Sequence, residues 1–526
     1  MRALDLIKSG AVSFTSVRKN SLDNVFLRKS FLSKENMSLL GYAYLHAHLG
    51  LTVFEPTTHA RLGAVTRVTA TGNGLLVPAQ VAGKTQTLLD HVLFALKHEG
   101  VNLQVLAQAL PKVSAQEMLV GIHAAPTGVY IRVACFLWEF FNGAELQGIP
   151  AISGPTVDVF DASRYITTKG VRNAKWRVNF NGLGSLSYCV TVERTPTIEA
   201  LLAADILGNA HRFVAELTPM AAERAMSWAY LHETQSSFAI EKELPSHTKA
   251  EAFVALLKQA NPAELLDETY LVALQNVCMT NPLDLAAEYR HQQNWLRGPL
   301  RGAVGVTYVP PPPEWVPGLM DDLLAFANEA PKQIDPLVCA AVVSFAFVFV
   351  HPFMDGNGRL SRFLFHHALC RSGQWGNGLL LPVSVAMKRN EGQYLAALQS
   401  YSKPARQAWD VTWLGDDEFD FKFKSDASVY RYWNATACVT FGLEMAQQAL
   451  NIDLKDEAEF LAQFDEIFKA VDERFDVRGN DLTTLVLACL QNKGKVSVNR
   501  REKFVDTVPE AVFEAIEAEW QRLWKI

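Results

Sequence analysis

The run VCAAVVSFAFVFV, Val338 to Val350, limits what this chain can fold into more than any other stretch. It is apolar but for Ser344, so it has no polar face to offer to water, and it is too short to span a bilayer. It reads as a buried helix. Asp335 followed by Pro336 supplies an N-cap and first-turn pair, and Pro352 ends the helix just past its last turn. A segment leaving such a helix is held in a fixed place by a rigid core element. The segment in that place is HPFMDGNGRLSR, His351 to Arg362.

These residues have a common chemistry. Gly356-Asn357-Gly358 forms a tight loop, and RLSRFLFHHALC then starts a new helix with Leu360, Phe363 and Leu364 spaced for burial and Gly373 as its stop. A glycine-rich loop leading into a helix N-terminus binds anions: backbone N–H groups point outward and the helix dipole adds positive charge. Arg359 and Arg362 lie three apart, project from one side of that helix, and carry the planar donor fork that suits phosphate oxygens. Asp355 beside such a cradle is a natural Mg²⁺ ligand. His351 is the one group here that exchanges a proton near neutral pH. Together they read as phosphate chemistry: a base, a metal ligand, an anion cradle and two clamps.

The stretch resembles the signature of the Fic family, HPFx[D/E]GNGRxxR, at every specified position. The resemblance implies transfer of AMP from ATP to a hydroxyl side chain (Tyr, Ser or Thr) of a protein target, the chain itself included. In that scheme His351 deprotonates the hydroxyl and Asp355 holds Mg²⁺. Gly356, Asn357 and Gly358 hold the α-phosphate region, and Arg359 and Arg362 the outer phosphates. The segment QNWLRGPLRGAVGVTYVPPPPEW is similar to the one that precedes the signature in this family. Its middle, with Gly302, Val304, Val306 and Tyr308, would be a β-hairpin flap aligning the target backbone by strand addition. Tyr394, in NEGQYLAAL, would lie near the adenine. HETQSSFAIEKE is similar to the family's inhibitory helix, [S/T]xxxE[G/N], through Ser237 and Glu241. Glu241 would bind Arg362 and occupy the γ-phosphate position. Lys242 departs from the usual Gly or Asn, which bears on how the helix ends and docks.

The length, 526 residues, suggests about three or four domains. Residues 1–215 mix helical periodicity (TLLDHVLFALKHEGVNLQVLAQAL, VYIRVACFLWEFFNG) with strand-like sequence (WRVNFNGLGSLSYCVTVERTP) and read as an α+β region. Residues 216–405 would be the catalytic domain. Residues 406–526 open with LGDDEFDFKFKSD, read as charged loop, and continue into amphipathic helices, with a winged-helix-like unit as one option. The expected class is mainly α: a helical Fic-type bundle with a hairpin flap between these flanks.

A net charge of −6 offers no bulk attraction to nucleic acid or an anionic membrane. The basic run from Lys493 to Lys503 is followed by a helix carrying Glu510, Glu514, Glu517 and Glu519, which a phosphate groove would repel. GKT at Gly83 to Thr85 fails as a P-loop because Pro78 stands where its first glycine belongs. The seven cysteines form no CxxC and suggest small buried hydrophobes in a reducing compartment. The N-terminal MRALDLIKSGAVSFTSVRKN has no apolar core of signal-peptide length, so a soluble, cytoplasmic protein is the default expectation, with ATP and a protein substrate as partners. The oligomeric state stays open, a homodimer among the options. Two other readings compete. One is removal of AMP from a modified protein, with Glu241 orienting water. The other is a non-catalytic regulator that binds nucleotide or a partner, against which the intact His351 and Asp355 argue.

Overall fold

The structure is a computed structural model describing residues 39–523, apart from 73, 259–263, 280, 377 and 417. The N-terminal stretch read above for signal-peptide character lies outside the described residues. Helices dominate and the sheets are small, so the chain is mainly α as expected. No described helix is long and apolar enough to cross a membrane.

Contacts divide the chain into two compact units, with the boundary after Gly154. The first unit combines a four-stranded sheet with helices that include Leu88–His98, Leu103–Ala109 and Val129–Asn142. Thr87 starts the first of these through a capping box: its Oγ1 accepts from Asp90 N at 3.1 Å, and Asp90 Oδ2 accepts from Thr87 N at 2.9 Å.

The division differs from the three regions read from sequence, and strand pairing shows why. Cys189–Thr191, in the first region, pairs in parallel with Tyr432–Asn434, in the third. Parallel neighbours need a long crossover, and here the crossover contains the whole central helical segment. Pattern within a window of sequence cannot reveal a partner that far along the chain.

The centre of the second unit consists of α1 (Pro219–Ile240), α2 (Glu268–Cys278), a hairpin of β1 (Leu296–Arg297) and β2 (Val306–Tyr308), α3 (Pro336–Val350), α4 (Asn357–Arg371), α5 (Val383–Arg389), α6 (Glu391–Gln407), a second hairpin of β3 (Trp409–Gly415) and β4 (Glu418–Phe423), and α7 (Thr436–Gln448). Every residue of α3 is buried, and it packs on α4 and α7. Asp335 Oδ1 caps it, accepting from Leu337 N and Val338 N at 2.9 and 3.2 Å. α1 is docked on α4 and α5 by one buried carboxylate. Glu233 accepts from His366 Nε2 (2.8 Å), Ser384 N (2.7 Å) and Ser384 Oγ (2.6 Å).

Two expectations are corrected. LGDDEFDFKFKSD is largely hairpin, not loop: β4 alternates exposed Glu418, Asp420 and Lys422 with Phe419, Phe421 and Phe423, and the apolar face covers Trp295 and Val306. The charges hid a strand period of two. The C-terminal helices Lys455–Asp472, Gly479–Gln491, Val498–Phe504 and Glu510–Leu523 close on their own core of Ile467, Leu482, Val486, Val512 and Ile516. There is no strand among the described residues after Asn434, so no winged-helix wing forms. Arg501, from the basic run, is held by Glu510 and Glu517 of the acidic helix.

Candidate active site

α3 ends in a left-handed turn at His351 (φ +53°), whose N–H bonds to Phe347 O at 2.9 Å. A non-glycine residue resists this conformation, so it persists only when its surroundings enforce it. They do. Arg290, itself buried, donates from Nε to His351 O (2.8 Å) and from Nη2 to Pro311 O (2.6 Å), and its backbone N–H reaches Pro352 O at 2.8 Å. Asn294 Nδ2 donates to Phe353 O at 3.0 Å. Asn357 grips Phe353 from both sides, accepting from its N at 3.1 Å and donating to its O at 2.8 Å.

His351 Nδ1 lies 2.9 Å from Val348 O. A carbonyl only accepts, so Nδ1 carries the proton and Nε2 of the neutral ring keeps its lone pair. Burial pulls the imidazole pKa down to about 4; the Val348 carbonyl opposes the shift, Arg290 adds to it, and Glu241 and Asp355 oppose it. The ring is therefore a neutral base ready at physiological pH.

The anion cradle lies just beyond. Gly356 takes φ +84° before the first residue of α4, with Met279 Sδ 3.0 Å from where a Cβ would be. At Gly358 a Cβ would fall 2.0 Å from Glu241 Oε1, so only glycine admits that carboxylate to the helix N-terminus. Arg362 is buried and donates to Ser237 Oγ from Nε (2.8 Å), and from Nη2 to Ser237 O (2.7 Å) and Glu241 Oε1 (2.8 Å). Burial pushes the Glu241 pKa up, but Arg362, with help from Arg359 and His351, outweighs it and holds the carboxyl below its ordinary value. Arg359 donates to Glu243 Oε2 (2.8 Å) and Cys278 O (3.0 Å), lies 3.4 Å from Asp355 Oδ1, and rests over the Phe238 ring. Arg359 Nε and Arg362 Nη1 have no hydrogen-bond partner of normal geometry among the described residues. They are buried donors of the kind a phosphate oxygen satisfies.

The end of α1 explains how Lys242 is accommodated. Glu243 N donates to Phe238 O at 3.1 Å and Lys242 N to Ala239 O at 3.0 Å, the two bonds of a Schellman cap. Lys242 sits at its left-handed position (φ +62°), where Gly or Asn is the usual occupant. The helix stops in the ordinary way despite the lysine, at the cost of local strain.

Asp355 is half exposed at the mouth of the loop, its Oδ1 accepting from Gly356 N at 2.5 Å. Among the described residues no cluster of three His, Cys, Asp or Glu could hold a metal alone. Mg²⁺ sites commonly use one or two carboxylates and complete themselves with substrate phosphates, which a single Asp355 beside the cradle fits. The Asn357 side chain braces the loop through Phe353. Tyr394 stacks with Phe441 (centroids 5.6 Å) and faces Arg362, and burial raises its phenol pKa. In the expected flap, β1 and β2 do pair, but Val306 and Tyr308 point inward and are buried. Tyr308 Oη donates to Phe349 O at 2.5 Å, which ties the hairpin to α3. Val304 stands at the exposed tip, and Gly302 (φ +66°) lies against Trp413. Arg406 donates to Val306 O (2.9 Å) and Ala303 O (3.2 Å), so those carbonyls already have partners.

Arg290, Asn294 and Glu243 escaped sequence reasoning. The first two carry no local signal, since both act through main-chain carbonyls about sixty positions away. Glu243 was visible as the third carboxylate in HETQSSFAIEKE, after Glu233 and Glu241, but only the turn at Lys242 aims it at Arg359.

Comparison with known proteins meets this geometry. Residues 265–369 match the model of the Fic/DOC family, a segment that includes His351 to Arg362 but not the end of α1. The protein adenylyltransferase fic-1 of Caenorhabditis elegans is 31% identical over 132 residues, 24% of this chain and 22% of that protein. The probable protein adenylyltransferase aq_aa38 of Aquifex aeolicus is 35% identical over 101 residues, 19% of this chain and 28% of that protein. The chain thus spans less than a third of the length of either. A Fic family protein from Desulfovibrio desulfuricans, in a solved structure, is 21% identical, with a TM-score of 0.38 over 59% of this chain and 90% of that one.

Proposed function

We propose that this chain is a protein adenylyltransferase that moves AMP from ATP to a hydroxyl side chain of a protein, and that the end of α1 holds its site closed. One observation carries the reading: the Glu241 carboxylate sits at the α4 N-terminus between Gly358 and Arg362, 2.8 Å from the guanidinium, in an anion cradle beside a neutral imidazole.

With Glu241 withdrawn, the Gly356–Gly358 backbone and the two guanidiniums can take the phosphates. Asp355 would hold Mg²⁺ against them, where the ion would neutralise charge on the phosphate oxygens. His351 Nε2 accepts the proton of the target hydroxyl as its oxygen bonds to the α-phosphorus. The bond from the α-phosphorus to the pyrophosphate oxygen breaks, and pyrophosphate leaves. Positioning and charge neutralisation are most of what phosphoryl chemistry asks of a protein.

The test is incubation of wild type and Glu241→Gly with ATP labelled at the α-phosphate, followed by mass spectrometry of the chain. A charge-assisted pair of this kind shifts the blocked population about ten- to a hundredfold, so labelling should rise by at least about tenfold. Labelling no greater than wild type would refute self-inhibition by Glu241. Release of AMP from a modified protein by wild type, but not by Glu241→Gly, would favour the reverse reaction instead.

A further inference from the structure

Glu241 has a companion. Glu243, the last residue of the Schellman cap, places Oε2 2.8 Å from Arg359 Nη1. The Arg359 side chain is 1% exposed and that of Glu243 32%. The two motif arginines are thus met by two carboxylates from one helix end, Glu241 on Arg362 and Glu243 on Arg359, each pair at 2.8 Å. Phe238, from the same turn of α1, lies under the Arg359 guanidinium with Cζ 5.2 Å from its ring centroid.

Two guanidiniums buried side by side need counter-charge, because an unpaired buried cation is costly. In the closed site the end of α1 supplies one carboxylate to each at 2.8 Å, and Asp355 adds a longer contact to Arg359 at 3.4 Å. In an open site the phosphates of ATP would. We propose that Glu243 is a second blocking carboxylate, acting on Arg359, and that the site opens fully only when both carboxylates withdraw. This deepens the reading above and rests on it. It also gives Lys242 a consequence: its left-handed φ aims residue 243 back at α4, so the cap that ends the helix also delivers the second lock. Removing Glu241 alone leaves Arg359 still engaged by Glu243.

The experiment uses the full chain in four forms: wild type, Glu241→Gly, Glu243→Gln and the double variant. Two quantities are read: affinity for a non-hydrolysable ATP analogue with Mg²⁺, by calorimetry, and self-labelling from α-labelled ATP. Glu243→Gln keeps the side chain's shape, and a melting curve with Glu243→Ala alongside checks that the fold survives either change. The double variant should bind the analogue and label itself about three- to tenfold better than Glu241→Gly, the range for a charge-assisted bond with one partly exposed partner. Glu243→Gln alone should bind the analogue better than wild type while labelling stays low, because Glu241 still blocks Arg362. A double variant equal to Glu241→Gly in both affinity and labelling overturns the proposal. The affinity arm answers even if Glu241→Gly fails to label, so failure of the transfer reading and failure of the second lock are told apart.

Discussion

The two halves of this site are both buried, yet they are held by different kinds of bond. Around His351 the partners are neutral main-chain groups: the carbonyls of Val348, His351, Pro352 and Phe353, satisfied by His351 itself, Arg290, Asn294 and Asn357. Around Arg359 and Arg362 the closest acidic partners are Glu243 and Glu241, with side chains 32% and 35% exposed, on a helix end that reaches the site from outside the matched family segment, and Asp355 adds a longer contact to Arg359 at 3.4 Å. A carbonyl brace has no competitor in the ligand and stays in place through a reaction cycle. A carboxylate on an arginine has one, since phosphate oxygens make the same bond with more charge. On the reading proposed above, the base would be permanent framework and the clamp a contact to be exchanged.

The sharpest way to break this comparison is to remove the base while opening the clamp. In a Glu241→Gly background, His351→Ala should lose at least about 10²–10⁴-fold in self-labelling rate, the usual worth of a general base, while calorimetry still registers ATP. Near-normal labelling would take His351 out of the mechanism.

Asp355→Ala in the same background should lower Mg²⁺-dependent ATP affinity and labelling together, by at least about tenfold. Unchanged values, equally insensitive to chelator, would contradict its role as metal ligand.

Arg290 tests whether the framework half is electrostatic as well as mechanical. Arg290→Gln should slow labelling by about tenfold through misplacement of His351. It should also move the pH profile. The base works unprotonated, so the rate falls as pH drops through the His351 value of about 4. Arg290 helps to lower that value, so its loss raises it, and the acid limb should shift to higher pH. Arg290→Lys, which keeps the charge, should bring the limb back toward its original place. A slower variant with an unmoved acid limb would leave Arg290 a purely structural brace.

The smallest effect concerns the clamp half. Lys242→Gly removes a left-handed non-glycine residue (φ +62°) and relieves about 1 kcal/mol. Basal self-labelling should fall about fivefold, as the closed helix end becomes more populated. In Glu241→Gly the same change should matter much less, because the main contact is already gone. An equal effect in both backgrounds would place the strain outside the lock.

Much of this protein was determined by its sequence alone. The Val338–Val350 run had to be buried, because it has no polar face. Gly356 announced a turn of unusual backbone, though Asn357 and Gly358, read as part of that loop, already belong to α4, and the spacing of Arg359 and Arg362 put both guanidiniums on one side of that helix. Those are local consequences of side-chain type and helical period, and they are read within a window of a few turns. The same locality misled at LGDDEFDFKFKSD, where charges on one face of a strand concealed the phenylalanines on the other. Tertiary structure alone decided what meets those arginines. Glu241 lies 121 positions from Arg362 and Glu243 lies 116 from Arg359. Their meeting depends on the buried Glu233 docking α1 on α4 and α5, and on a left-handed turn that Lys242 does not advertise. It decided the fate of Val306 and Tyr308 too, turned inward because α3 and the second hairpin offer them apolar surface. The physical reason is common to all of these: chain pattern dictates which face an element buries, and only packing dictates what it is buried against.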